Sequence, residues 1–299
     1  MRTEGLTKRY GRLEALAGLD LEVAPGEVVG YLGPNGAGKT TTIRLLLGLA
    51  KPTGGRAEIF GLDAWARATE AHRRLAFVPG EANLWPALTG AETLHLLGRV
   101  HGTVDEPYRD ELVERFQLDP SKKVRAYSRG NRQKVLLVAA LMTRADLLLL
   151  DEPTSGLDPL MEREFRGAIG DARRRGQAVF LSSHTLSEVE ALCDRVAILR
   201  DGRLVESGTL PEMRHLSAVT VEATVTDVPD LSAVAGVSTV QVDDHVVRCQ
   251  VRGPMGPLLH ALDGAGVTRL VSREPSLEEL FLALYGESPR GTEPDAVAG

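Results

Sequence analysis

The chain lacks any apolar run long enough to cross a bilayer: its longest, Val135 to Met142, falls far short of the roughly 20 residues that a spanning helix needs. The opening residues, Met1-Arg2-Thr3-Glu4-Gly5-Leu6, carry no apolar stretch of the signal-peptide kind. Both absences lead us to expect a cytosolic chain that reaches a membrane only through a partner. Cysteine is scarce, with two in 299 residues; Cys193 and Cys249 lie far apart and outside any metal-ligand spacing, which excludes a disulfide scaffold and fits a reducing compartment. Positive charge is also missing in bulk. A net charge of −6 argues against a nucleic-acid binder that works by overall electrostatics. The densest basic cluster, Arg173-Arg174-Arg175, precedes Gly176 as a solvated helix end would. There is no internal repeat and no long heptad segment. What remains is an ordinary globular composition, 43% hydrophobic and 25% charged, with length for roughly two domains.

Within that composition one segment carries chemistry. Gly33-Pro34-Asn35-Gly36-Ala37-Gly38-Lys39-Thr40-Thr41 fits the spacing G-x-x-x-x-G-K-[ST], a phosphate cradle. Glycines at 33, 36 and 38 are expected to take positive φ and let the backbone approach an anion. Successive N–H groups then form a nest for the β- and γ-phosphates. Lys39 adds a point charge, and the Thr40 hydroxyl is placed to ligate Mg²⁺. The flanks agree: Glu27 to Leu32 reads as a buried strand, and Thr41 to Leu47 as a helix whose N-terminus faces the phosphates.

A second motif narrows the choice among nucleotide-binding proteins. Leu147-Leu148-Leu149-Leu150-Asp151-Glu152 reads as a fully apolar strand ending in two acids. In a parallel sheet that carboxyl edge is also where the phosphate loop sits. Asp151 is placed to hold Mg²⁺, and Glu152 to orient or deprotonate the attacking water.

Strand-like and helix-like segments alternate from Leu19 to Leu210, which predicts an α/β fold with a mostly parallel sheet. The first segment, through Glu27, reads as antiparallel strands. A helix-rich interval, about 84–142, reads as a lobe inserted into the sheet domain, with helices over 91–97 and 111–116. The sheet resumes at 147–150, 178–182 and 195–199, and Asp201-Gly202 marks a hairpin into 203–208. Beyond Pro211 the texture changes. Strands over 219–225 and 246–251, and short helices over 258–262 and 276–284, predict a small α+β module, 217–286. Ser, Pro, Gly and acidic residues predict a disordered tail, 287–299.

Jointly, the segment 33–41, Tyr127-Ser128-Arg129-Gly130-Asn131-Arg132-Gln133-Lys134 before the acidic strand, Ser155-Gly156-Leu157-Asp158 after it, and Ser182-Ser183-His184 on the next strand resemble the nucleotide-binding subunit of an ATP-binding-cassette (ABC) transporter. The resemblance covers residues 2–210 and implies a P-loop NTPase domain over 1–212 that binds ATP with Mg²⁺. It implies that Ser128, Arg129, Gly130 and Asn131 cap the γ-phosphate held by an opposite subunit, in a head-to-tail homodimer or paralogous heterodimer. Read as residues alone, the same four begin a helix over 132–142 and form an ordinary N-cap.

His184 would contact the γ-phosphate and Glu152, Tyr10 would stack on adenine, and Asp158 would shape the dimer contact. Each also has a plainer reading: a core histidine, a packing tyrosine, a helix N-cap. Arg129 replaces a commoner glycine. The family's usual glutamine after Val-Pro is absent; Gly80-Glu81 stands there, in the loop expected to couple the site to the permease, with Glu81 facing permease or solvent. Glu274-Pro275-Ser276-Leu277-Glu278-Glu279-Leu280-Phe281 resembles the ending of ATPases serving ABC-2-type exporters, including the daunorubicin-resistance branch. The implied partner is a separate polytopic permease, with the chain on the cytoplasmic side of the membrane and antibiotics or other drugs as cargo. The alternatives are a soluble ABC ATPase acting on ribosomes or DNA, and a regulatory nucleotide-binding protein with little hydrolysis.

Overall fold

Inward leucines alternating with polar residues produce the first two strands. In β1 (Arg2–Tyr10) and β2 (Leu13–Glu22), Leu6, Leu16, Leu19 and Leu21 are buried while many of their neighbours along the strands stay accessible. The computed structural model describes residues 1–215, 218–274 and 276–279. The tail at 287–299 and most of the helix expected over 276–284 lie outside the described residues.

After β2 the chain enters β3 (Val28–Leu32), buried at every position, and crosses the phosphate loop into α1 (Lys39–Leu46). β4 (Gly54–Ile59) and the short β5 (Leu62–Asp63) return to β1, giving an antiparallel sheet ordered β2-β1-β4-β5. A single-turn helix, α2 (Ala68–Ala71), leads to β6 (Leu75–Val78).

Three helices separate β6 from the next strand. α3 (Gly90–His101) starts at a reciprocal cap in which the Glu92 backbone N–H donates to Thr89 Oγ1 at 3.2 Å and the Thr89 N–H donates to the Glu92 carboxylate at 2.7 Å. α4 (Glu106–Arg115) is capped by Asp105. α5 (Arg129–Leu141) begins three residues earlier than expected, because Ser128 Oγ accepts the Asn131 N–H at 3.2 Å and makes Ser128 the cap. Its residues from Gln133 to Leu141 are all buried, so α5 is the interior helix of the lobe.

The central sheet contains β3, β6, β7 (Leu147–Asp151), β8 (Ala178–Ser183), β9 (Arg195–Arg200) and β10 (Arg203–Thr209), ordered β10-β9-β3-β8-β7-β6. All pairings are parallel except that of β10, which joins β9 through Asp201 and Gly202, both at positive φ. β3, β7 and β8 are buried at every position, which is why their sequences are continuous apolar runs rather than alternations. Each buried leucine of β7 contributes about 1.5–3 kcal/mol relative to exposure. The helix α6 (Pro159–Arg174) lays Met161, Phe165, Ala168, Ile169 and Ala172 inward as one stripe, and α7 (Leu186–Leu192) packs Val189 inward.

The chain divides into two compact units, Met1–Thr209 and Leu210–Gly299. The helix α8 (Leu210–His215) falls with the second unit, whereas the expected boundary lay at 212. In that unit β11 (Val219–Thr224), β12 (Val237–Asp243), β13 (Val246–Val251) and β14 (Arg269–Arg273) form an antiparallel sheet ordered β12-β13-β11-β14. Its core joins Val221, Val247 and Cys249 to Leu258 and Leu262 of α9 (Gly256–Asp263). Both cysteines are buried and free.

Candidate functional site

Three strand ends meet at the carboxyl edge of the central sheet. β3 delivers the phosphate loop, β7 delivers Asp151 and Glu152, and β8 delivers Ser182, Ser183 and then His184. Parallel register sets Asp151 beside Ser182 and Leu32 beside Ser183, so the acids and the loop face one another without any long-range rearrangement of side chains. Thr40 Oγ1 lies 3.4 Å from Asp151 Oδ2. On the other carboxylate oxygen, Asp151 accepts the Ser182 hydroxyl at 2.5 Å. Ser182 also receives the Glu152 N–H, at 3.1 Å on its carbonyl and 3.2 Å on its hydroxyl. Glu152 itself holds a φ of +47°, a left-handed conformation that costs a non-glycine residue about 1–3 kcal/mol. The turn swings its side chain toward His184, whose Nδ1 lies 3.2 Å from Glu152 Oε1. His184 is 62% exposed, so it is not a core histidine.

Lys39 is buried at the floor of the loop, where its ammonium donates to the carbonyls of Gly33 at 2.5 Å and Pro34 at 3.2 Å. Burial lowers its pKa, and the nearby Glu152 and Asp151 oppose that shift. Gly38 sits at φ +111° as the N-terminal flank of α1, with the Ala15 carbonyl 2.6 Å from where a Cβ would stand. Gly36 is also left-handed. Gly33 is not, which corrects the expectation of positive φ there: it is required because a Cβ would fall 2.5 Å from the Leu199 carbonyl oxygen. The hairpin after β9 anchors the loop, since the Gly202 N–H donates to the Ala37 carbonyl at 3.0 Å.

Pro34, Asn35, Gly36, Lys39, Thr40 and Thr41 line a cleft of about 470 Å³ together with Glu152. Tyr10 and Leu13 form its apolar rim and are 45% and 66% exposed, so Tyr10 is not a packing tyrosine. A phosphate end and an apolar end in one cleft suit a nucleotide.

Other expected site residues lie elsewhere. Ser128, Gly130 and Asn131 do not line this cleft; they form the start of α5, and Gly130 approaches the Gly156 carbonyl in the turn after Glu152. Arg129 donates to Ser155 Oγ at 2.7 Å and lines a second cleft with Gly80, Glu81, Thr40, Asp151 and Glu152. A Cβ on Gly80 would stand 3.4 Å from the Asp151 carbonyl and 3.8 Å from its carboxylate, so a side chain at 80 would reach Asp151; glycine leaves that space open. Asp158 caps α6, accepting the N–H groups of Leu160 and Met161 at 3.0 Å each. Sequence reasoning missed Ser182 as the partner of the Asp151 carboxylate and of the Glu152 backbone N–H, and the signal available was a hydroxyl ending an otherwise apolar strand.

This fold and cleft define a P-loop nucleotide-binding ATPase. Comparison with known proteins narrows the class. The ABC transporter family profile matches residues 16–155. A daunorubicin resistance ATP-binding protein of Streptomyces coeruleorubidus is 36% identical over 97% of each chain. A bacitracin transport ATP-binding protein of Bacillus licheniformis is 35% identical over 96% of this chain and 97% of its own. Among solved structures, an ATP binding subunit of an ABC transporter superposes with a TM-score of 0.67 and 32% identity, covering 71% of this chain and 91% of that one. A dimeric ATP-binding cassette bound to ADP and Pi gives a TM-score of 0.64 and 25% identity, covering 70% and 98%. The chain belongs to the ABC transporter family, and within it to the ATP-binding, ATP-hydrolysing subunits.

Proposed function

We propose that this chain powers an exporter of antibiotics or related drugs, hydrolysing ATP at the cytoplasmic face of a membrane through a separate polytopic permease. Among the described residues no helix is long and apolar enough to cross a membrane, which supports a pathway supplied by a partner. Relatives that match nearly the full length are named for daunorubicin resistance and for bacitracin transport.

The observation that carries the reading is the meeting of the loop bearing Lys39 and Thr40 with Asp151, Glu152 and His184 at three adjoining strand ends. In this reading Tyr10 stacks on adenine, the loop N–H groups and Lys39 hold the phosphates, and Glu152 orients or deprotonates water while His184 holds its carboxylate. The donors facing each other at Thr40 and Asp151 are oxygens only, which fits a magnesium ion shared with the phosphates. When bound, magnesium neutralises phosphate charge. Ser128, Gly130 and Asn131 lie outside the phosphate-loop cleft of their own chain, which supports a head-to-tail pair in which Ser128 to Asn131 meet the γ-phosphate held by the second chain. Asp158 then lies at the dimer contact.

Coupling runs through the helical lobe. An apolar groove between it and the central sheet is lined by Leu49, Phe77, Leu97, Val100 and Leu136, and Leu49 and Val100 are 67% and 77% exposed. Short helices on the cytosolic side of the permease fit such a groove. Gly80 and Glu81 form the hinge between groove and acids, with a water in place of the absent glutamine amide. The test is co-expression with the product of each neighbouring reading frame: co-purification of a polytopic membrane protein and partner-stimulated ATP turnover support the reading, and hydrolysis with no membrane partner contradicts it.

A further inference from the structure

Glu188, in the first turn of α7, is a half-buried acid with an inward carboxyl that the mechanism above leaves unused. Its Oε2 accepts the Ser183 hydroxyl at 2.7 Å, and Ser183 immediately precedes His184. The Thr154 hydroxyl faces the same carboxyl, and Thr154 follows Glu152 by two residues. Oε1 is buried with no hydrogen bond of good geometry. The other charged groups facing it are Glu162 of α6 and His184.

We propose that Glu188 is a positioning residue for hydrolysis: its carboxyl brackets the segments carrying His184 and Glu152 and thereby holds their side chains at hydrogen-bonding distance. The proposal rests on the roles given above to Glu152 and His184. The two strand ends are paired through Asp151 and Ser182, but the Glu152 and His184 side chains beyond that pairing meet at an accessible 3.2 Å contact, and Glu188 ties the segments that carry them from the inner side. Burial and the neighbouring Glu162 disfavour an ionised carboxylate here, while the Ser183 and Thr154 hydroxyls donate to it. Burial raises the carboxyl accordingly, against the opposing pull of the Ser183 and Thr154 hydroxyls. A glutamine, neutral and with a carbonyl that accepts the Ser183 hydroxyl, should therefore replace it.

The test uses the purified full-length chain, measuring kcat and KM for ATP. Glu188→Ala should lower kcat about tenfold, the effect of losing one hydrogen bond to an ionisable group, with KM within about twofold. Glu188→Gln should restore most of kcat. Thr154→Val, which keeps the buried carboxyl, should repeat the loss in kcat even where the alanine variant fails to fold. Unchanged kcat in Thr154→Val and Glu188→Ala, a rise in KM matching the fall in kcat, or a glutamine variant no better than alanine would each overturn the proposal. Glu152→Gln is measured in parallel. Turnover that survives it condemns the catalytic assignment, whereas turnover lost there and kept in the Glu188 variants condemns only the bracket.

Discussion

Gly130→Ala is a small change with a computable cost. Gly130 stands in the first turn of α5, and a Cβ built there would sit inside van der Waals distance of the Gly156 carbonyl oxygen. That oxygen cannot retreat easily: Gly156 holds φ +83°, and the Arg129 side chain, tied to Ser155, packs against its Cα side. Overpacking of this kind costs about 1–3 kcal/mol. Alanine returns up to about 1 kcal/mol through the lower entropy of the unfolded chain, and less at a helix start. The net loss of roughly 1–2 kcal/mol lowers Tm by about 2–8 °C for a unit of this size. Gly170→Ala is the matched control, since it lies inside α6 with only the flexible Arg174 guanidinium 3.5 Å away. It should raise Tm by roughly 1–4 °C, following a gain of about 0.5–1 kcal/mol. Calorimetry of the two variants reads both signs. Equal or raised Tm in Gly130→Ala would refute the packing argument.

Lys39→Ala should weaken ATP binding by about 10–100-fold, the loss of a charge-assisted contact to phosphate, and unchanged affinity by titration calorimetry would remove Lys39 from the phosphate site. Ser128→Arg should abolish turnover while leaving ATP binding by the single chain intact; turnover unaffected by Ser128→Arg counts against the head-to-tail pair. For Glu188 the folded state binds the carboxyl proton more tightly than the unfolded chain, so its contribution to stability is complete below the ordinary carboxylate pKa and is lost as pH rises through the raised value. Glu188→Gln lacks that loss, and its Tm relative to wild type should therefore climb from acid toward neutral pH; a constant difference contradicts the raised carboxyl.

Much of the fold could be read along the chain because its core is a parallel sheet. Strands buried on both faces, such as β3, β7 and β8, announce themselves as apolar runs, and the Asp201-Gly202 pair fixes the hairpin that follows β9. Some strands that lack that burial were silent. β4 reads as a loop because Gly54-Gly55-Arg56 opens it, and its pairing with β1 comes from tertiary contact. β14 is exposed throughout and flanked by arginines, so nothing in its own residues marks it. The cleft-lining residues were legible through motif spacing, which is local. Ser182 and Glu188 were not: a serine in a strand and a glutamate in a short helix acquire meaning only when folding buries them beside Asp151 and Thr154. Gly33 shows the same limit, since its need for hydrogen in place of a side chain is set by Leu199, far along the chain.

The account turns on Glu152 as the residue that activates water, and one measurement tests it directly. In Glu152→Gln the amide fills the carboxylate's volume and leaves the loop, Thr40 and Asp151 in place, so ATP binding with Mg²⁺ should persist while steady-state turnover falls by roughly 10²–10⁴-fold. The same variant should accumulate as an ATP-bound dimer, visible by light scattering after size exclusion. Wild-type turnover in a Glu152→Gln preparation free of contaminating ATPase would contradict the central claim.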